Sequence, residues 1–202
     1  MAMLNRLPGG TRSSLRAVHW LLATGRPASL DPVVLDIGTG AGDFARRIAD
    51  RARVLAADIH PQVLRIARSN LGGTRGVRVL RADARELPLA DGEVDVVHAS
   101  LLLHHLDPHE VGQALGEMRR VARLGVVVND LRRSRLAYLL TSAAVLVLAR
   151  GAWTRHDGLA SARRAYTTSE LDDLASRAGL RPARRSWTAM PRVTTVYVAT
   201  GS

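Results

Sequence analysis

Lysine and cysteine are both absent from this chain of 202 residues, and aromatics make up only 3% of it. Without cysteine there can be no disulfide, thiolate zinc site or cysteine nucleophile, and the chain suits a reducing cytoplasm, its expected location. Met1 to Gly10 holds no long apolar run, so no secretory leader is expected. The longest apolar stretch, Leu136 to Ala149, has 14 residues and is broken only by Tyr138, Thr141 and Ser142. A bilayer-spanning helix needs about 20, so no transmembrane segment is expected.

Acid is also scarce. Eighteen Asp and Glu face 29 basic residues, every one of them arginine, for a formal charge of +11. Such an excess can mark a nucleic-acid binder. Here the arginines are spread along the whole chain, as a GC-rich coding bias would spread them. Three Trp, three Tyr and one Phe offer little surface for stacking bases. Nucleic acid is therefore not the expected partner.

What is present is an alternation of short apolar runs and amphipathic segments. Strands are predicted at Val33 to Ile37, Val54 to Ala57, Val77 to Arg81, Val94 to His98 and Leu124 to Val128. Helices are predicted at Leu15 to Ala23 (capped by Ser13 or Ser14), Asp43 to Arg51, Pro61 to Ser69 and Pro108 to Ala122. Alternation at this spacing predicts parallel β-α-β units. A helix from Thr168 to Ala178, capped by Thr168 or Ser169, precedes two strands, Arg184 to Ala189 and Thr194 to Thr200, joined by a short turn at Pro191. So short a connection makes them antiparallel. The expected fold is α/β: a Rossmann-like, mostly parallel sheet of seven strands with a C-terminal antiparallel hairpin and helices on both faces. One domain over 1–202 is expected, with a helical segment at 1–30.

Between the first strand and the next helix lies Asp36-Ile37-Gly38-Thr39-Gly40-Ala41-Gly42. Such a loop lets backbone N–H groups approach a ligand at the carboxyl ends of the strands. A dinucleotide loop would continue as Gly-x-Gly-x-x-Gly, but position 43 is Asp, which would repel a pyrophosphate. A cofactor without phosphate fits better. Asp58 ends the second strand, where a carboxylate can take both ribose hydroxyls, and Asp83 follows the third, where it can accept from an adenine amino group.

With these residues in place the chain resembles class I S-adenosylmethionine (SAM)-dependent methyltransferases, over nearly everything after residue 30. The matching stretches are Val33 to Ala49, Val54 to His60, Leu80 to Leu89 and Val94 to Leu106, continuing through Asn129-Asp130 to the hairpin. The resemblance implies SAM as cofactor. Gly38, Thr39, Gly40 and Gly42 would contact its methionine part with Asp36 nearby; Asp58 and Ile59 would hold the ribose, Asp83 and Ala84 the adenine, and Ser100 would sit at the reaction end.

Methyl transfer to oxygen needs alignment and a base. The candidates are His104 and His105, in Leu103-His104-His105-Leu106-Asp107, and the resemblance favours His104. One of the pair can equally be packed and the other a solvated helix cap. Adjacent histidines usually diverge, so no metal site is expected from His104, His105, Asp107 and His109. His19, His60 and His98 read as structural.

Acceptor contacts are expected from Asn129, Arg132, Tyr138 and Tyr166, with 131–167 as a lid region over the acceptor. Asn129-Asp130 can instead cap a helix. An apolar lid suits an aromatic or lipophilic acceptor, and the same segment can serve a homodimer interface or a membrane surface. The resulting expectation is O-methylation of a phenolic or polyketide-like hydroxyl, of the kind found in secondary metabolism, with C-methylation of a quinone precursor as the alternative. A ring-amino methyltransferase of nucleic acid would carry Asn/Asp-Pro-Pro-aromatic where this chain has Ala99-Ser100-Leu101-Leu102.

Overall fold

The computed structural model describes residues 10–133, 165–188 and 192–201. Chain order runs α1 (Gly10–Thr24), β1 (Val33–Ile37), α2 (Asp43–Ile48), β2 (Arg53–Asp58), α3 (Pro61–Leu71), β3 (Val77–Arg81) and β4 (Val94–Ser100). A 3-10 turn at Leu103–His105 leads to α4 (Pro108–Val121), β5 (Ala122–Leu131), α5 (Thr168–Arg177), β6 (Leu180–Trp187) and β7 (Arg192–Ala199). The seven strands form one sheet in the order β3-β2-β1-β4-β5-β7-β6. The first five are mutually parallel; β7 runs antiparallel to both β5 and β6. The expected fold class is the observed one.

Strand alternation sorts the side chains into two cores. Val34, Val96, Val127 and Val196 face α1 and α2, meeting Val18, Leu21, Phe44 and Ile48. Leu35, Val97, Val126, Val128 and Tyr197 face the other way, onto Leu115 and Met118 of α4 and Leu171 of α5. Strand order reverses between β1 and β4, which opens the crevice at their carboxyl ends where α/β sheets bind ligands.

Most strand limits shift by a few residues, β6 the most, beginning at Leu180 and not Arg184; three helix boundaries also differ from the sequence expectation. α1 begins at Gly10, so Ser13 and Ser14 lie inside the helix; both are buried, and their hydroxyls bond across the fold instead of capping. The cap of α5 is Thr167, which accepts from the Glu170 N–H while Glu170 accepts from the Thr167 N–H, a reciprocal capping box. α2 stops at Ile48, short of Arg51. The apolar segment Leu136 to Ala149, Tyr138 within it, and Arg155 to Arg164 lie outside the described residues. Among the described residues no helix is long and apolar enough to cross a membrane.

Gly125 carries a stability prediction. At φ 155° its missing Cβ would lie 2.4 Å from the carbonyl oxygen of Tyr197, and that carbonyl sits in the β5–β7 ladder beside the Val126–Tyr197 pair. Backbone held in a ladder cannot yield as a side-chain tip can. Gly125→Ala is expected to cost about 2–3 kcal/mol, lowering the midpoint of thermal unfolding by roughly 4–12 °C for a chain of this size.

Candidate active site

The glycine loop leaves β1 with Gly38, Gly40 and Gly42 at φ 72°, 57° and 84°. Gly42 is the N-cap of α2. Thr39 anchors the loop twice: its N–H donates to the Ala57 carbonyl at 2.9 Å, and its hydroxyl to Asp36 Oδ2 at 2.6 Å. The other oxygen of Asp36 lies 2.7 Å from His98 Nδ1. Asp36 is 2% exposed, so it shapes the loop from below and offers no free edge to a ligand.

At the end of β2, Asp58 accepts from the His60 N–H at 3.0 Å and the Gly40 N–H at 3.4 Å, so the expected ribose carboxylate sits against the loop. Beyond it, Ile59, Ala82, Asp83 and Leu87 line a cavity of about 460 Å³. Ile59 is exposed and Ala84 buried. Arg81, Glu86 and Pro88 complete the lining, and apolar side chains beside the Asp83 carboxylate suit a purine with an exocyclic amine. Asp83 is already engaged by Arg85, whose Nη2 and Nε donate to it at 2.7 and 3.0 Å. That hydrogen bond holds the Asp83 carboxyl below the usual range against the smaller opposing effect of burial. Arg85 also binds Glu110 and so ties the loop after β3 to the first turn of α4.

Past β4 the chain turns abruptly. Leu101 takes φ 53°, a left-handed conformation costing a branched residue on the order of 1 kcal/mol. This turn delivers the 3-10 segment carrying His104 and His105 to the end of β5. There His104 Nδ1 lies 2.6 Å from Asp130 Oδ1, while Asp130 Oδ2 accepts from the N–H groups of Leu103 at 2.8 Å and His104 at 3.4 Å. Both side chains are buried. Burial pushes the Asp130 carboxyl upward, but the His104 ring and the backbone donors outweigh it and hold the group below the ordinary carboxylate range. His105 is exposed, its ring centroid 4.1 Å from that of His104. His104 is thus coupled to a buried carboxylate. Among the described residues no group of three His, Cys, Asp or Glu has metal-site geometry.

The residues expected to contact the acceptor, Tyr138 aside, make the following bonds. Asn129 is fully buried and turned toward α1: its amide donates to the Gly10 carbonyl and Ser14 Oγ, both at 2.8 Å, and its oxygen accepts from Arg192. Ser100 Oγ accepts from Arg192 Nη2 at 2.9 Å. Tyr166 donates its hydroxyl to the Leu106 carbonyl at 2.7 Å, pinning the bend between the 3-10 turn and α4, and burial raises its pKa. Arg132 pairs with Tyr166 in a backbone bridge and lies over the Trp187 ring at 4.9 Å. The sequence reading missed Arg192 and Ser14. Arg192 is 6% exposed and desolvation lowers its pKa, yet among the described residues it has no ion-pair partner.

A methyltransferase-domain family matches residues 34–125, which covers β1 through the start of β5 and so the loop, Asp58, Asp83 and His104. Over 128 residues the chain is 33% identical to a malonyl-[acyl-carrier protein] O-methyltransferase of Methylococcus capsulatus, covering 62% of this chain and 43% of that protein. Over 117 residues it is 38% identical to the demethylmenaquinone methyltransferase of Thermobifida fusca, covering 54% and 48%. The chain thus spans about half the length of the curated relatives it matches. A SAM-dependent methyltransferase structure from Aquifex aeolicus superposes over 99% of this chain and 98% of its own with a TM-score of 0.67 at 20% identity, a likeness of fold. The positive-φ loop anchored by Thr39, Asp58 against it and the cavity at Asp83 fit the two ends of S-adenosylmethionine. Motif, topology and relatives agree: the chain is similar to the class I S-adenosylmethionine-dependent methyltransferases, with residues 34–125 matching the methyltransferase-domain family.

Proposed function

We propose that this chain methylates a hydroxyl of a small molecule, with His104 as the general base and Asp130 as its orienting partner. The pairing of His104 Nδ1 with Asp130 Oδ1 at 2.6 Å carries the reading. A carboxylate only accepts, so the proton of the neutral ring belongs on Nδ1 and the lone pair on Nε2. His104 Nε2 makes no hydrogen bond among the described residues, so it is free to receive the acceptor's hydroxyl proton.

The loop from Gly38 to Gly42 would hold the methionine part of SAM, Asp58 the ribose, and the Ile59–Leu87 cavity the adenine. When bound, SAM supplies an electrophilic methyl group on cationic sulfur. This chain's residues fix the acceptor oxygen in line and remove its proton, a task worth roughly a hundred- to ten-thousand-fold. The acceptor proposed is a phenolic or polyketide-like hydroxyl. Methylation of a quinone precursor is the second reading, favoured by the 38% identity to a demethylmenaquinone enzyme.

Incubation with SAM and a panel of phenols, quinols and malonyl thioesters, read by mass spectrometry, tests both. A mass gain of one methyl on oxygen of a phenol supports the first. Methylation confined to carbon, or to malonyl thioesters, rejects it.

A further inference from the structure

On the α1 side of the sheet each strand is apolar at depth and turns polar at its carboxyl rim. Val34 gives way to Asp36, Val96 to His98, Val127 to Asn129, and Val196, on an antiparallel strand, to Thr194 and Arg192. A methyl donor and acceptor do not account for a polar layer that is itself sealed. Asp36, His98, Asn129, Thr194 and Arg192 are each at most 6% exposed. Gly10, Ser13 and Ser14 of α1 bond directly to three of them, Asn129, Thr194 and His98.

The bonds form one chain. Arg192 Nε donates to Asn129 Oδ1 at 3.2 Å; Asn129 Nδ2 donates to Ser14 Oγ at 2.8 Å; Ser14 Oγ lies 2.8 Å from His98 Nε2. His98 Nδ1 meets Asp36 Oδ1, and Thr39 Oγ1 donates to Asp36 Oδ2. With the His98 ring neutral, one assignment of protons satisfies every link. The Asp36 carboxylate is an acceptor alone, so His98 holds its proton on Nδ1; Nε2 then accepts, so Ser14 donates to it while accepting from Asn129. Removing Ser14 Oγ leaves His98 Nε2 and one Asn129 donor unsatisfied in the interior, where such groups are costly. The ring of His98 is further fixed by stacking on Phe44 of α2, with centroids 3.7 Å apart.

From this geometry we infer that Ser14 is a positioning residue for the cofactor loop, acting through His98 and Asp36 on Thr39, and that docking of α1 and occupancy of the loop are energetically coupled. The inference rests on the reading of the loop as the methionine-side cofactor site. Ser14 lies 25 positions before Thr39 and makes no hydrogen bond to the loop among the described residues; its hydrogen-bonded route to the loop is this relay. Coupling of this kind is reciprocal: whatever loosens α1 weakens the cofactor, and the cofactor steadies α1.

Titration calorimetry with SAM on the wild type, Ser14→Ala, Thr39→Val and the double variant tests it. Ser14→Ala is expected to weaken SAM roughly fivefold, and to add little once Thr39→Val has cut the relay, whereas Thr39→Ser keeps the wild-type response to Ser14→Ala. Hydrogen exchange of the wild type should show SAM slowing the amides of Gly10–Thr24. An unchanged dissociation constant in Ser14→Ala with a lowered unfolding temperature makes Ser14 merely structural and overturns the inference. Additive losses in the double variant, or α1 exchange indifferent to SAM, do the same. Wild type that binds no SAM at all overturns the loop reading itself, a result distinct from these.

Discussion

His104→Ala is expected to lower turnover by about 10²- to 10⁴-fold while leaving SAM affinity within about twofold, because His104 makes no hydrogen bond to the glycine loop among the described residues. Its ring is fixed by Asp130 at the end of β5, on the face of the sheet opposite the Ser14 relay. Asp130→Asn separates orientation from basicity. The amide can present a donor to His104 Nδ1, which favours the wrong tautomer and puts the proton on Nε2, where the lone pair is needed. Turnover should therefore fall nearly as far as in His104→Ala, and the two losses should not add. Asp130 also accepts from the Leu103 and His104 N–H groups, so its removal loosens the 3-10 turn. Thermal unfolding of both variants distinguishes this cost from the catalytic one. If His104→Ala keeps wild-type turnover on the best acceptor found, His104 is not the base.

Asp130 also sets a pH expectation. Its carboxyl lies below the ordinary range in the folded protein, and an unfolded aspartate titrates near about 3.9. The stabilisation is then complete above that unfolded value and is lost as pH falls through the lower folded one. Acid unfolding monitored by circular dichroism should begin at higher pH in Asp130→Asn only through its lower starting stability, with a shallower acid limb.

How far the sequence revealed this site depended on whether a residue acts locally or across the sheet. β1 and β3 have the predicted limits: β1 is an apolar-rich run between Pro32 and Gly38, and β3 a β-branched and apolar segment with two arginines that follows Gly76. The glycine loop, Asp58 and Asp83 were legible because short motifs at strand ends fix them. Ser13 and Ser14 were misread as caps, since a hydroxyl before an apolar stretch gives the same pattern whether it bonds to its own helix or to a histidine 84 residues away. Asn129 and Asp130 were treated as a pair, yet strand periodicity sends adjacent side chains to opposite faces. Val127 and Asn129 look toward α1; Val128 belongs to the other core, and Asp130 meets His104. That signal was in the sequence. The burial of Arg192 was not, because its neighbours Asn129 and Ser100 lie 63 and 92 residues away and only the β5–β7 register brings them together.

The second large effect is expected at Gly42. This residue caps α2 at φ 84°, and a Cβ there would stand 2.7 Å from Cγ and Cδ1 of Leu71. Alanine suffers two separate penalties. The left-handed backbone costs about 1–2 kcal/mol, and overpacking a closed interior costs about 1–3 kcal/mol more. Leu71 is 5% exposed and packs against the core behind α2, so it cannot retreat without opening that core. The easier movement is of the loop itself. Gly42 is tied to Thr39 by its own N–H, at 3.0 Å from the Thr39 carbonyl, so a displaced Gly42 carries the loop's backbone donors with it. Gly42→Ala is therefore expected to lower the unfolding temperature by several degrees and to weaken SAM by at least about tenfold, since a shift on the order of 1 Å in a positioning element can cost a hundredfold. The double variant Gly42→Ala/Leu71→Ala isolates the clash from the backbone strain. It should be destabilised by less than the sum of its single variants, because the cavity left by Leu71 receives the new methyl. Strict additivity would mean that the methyl never meets Leu71. Wild-type SAM affinity in Gly42→Ala, measured by calorimetry, would mean that the loop does not position the methyl donor.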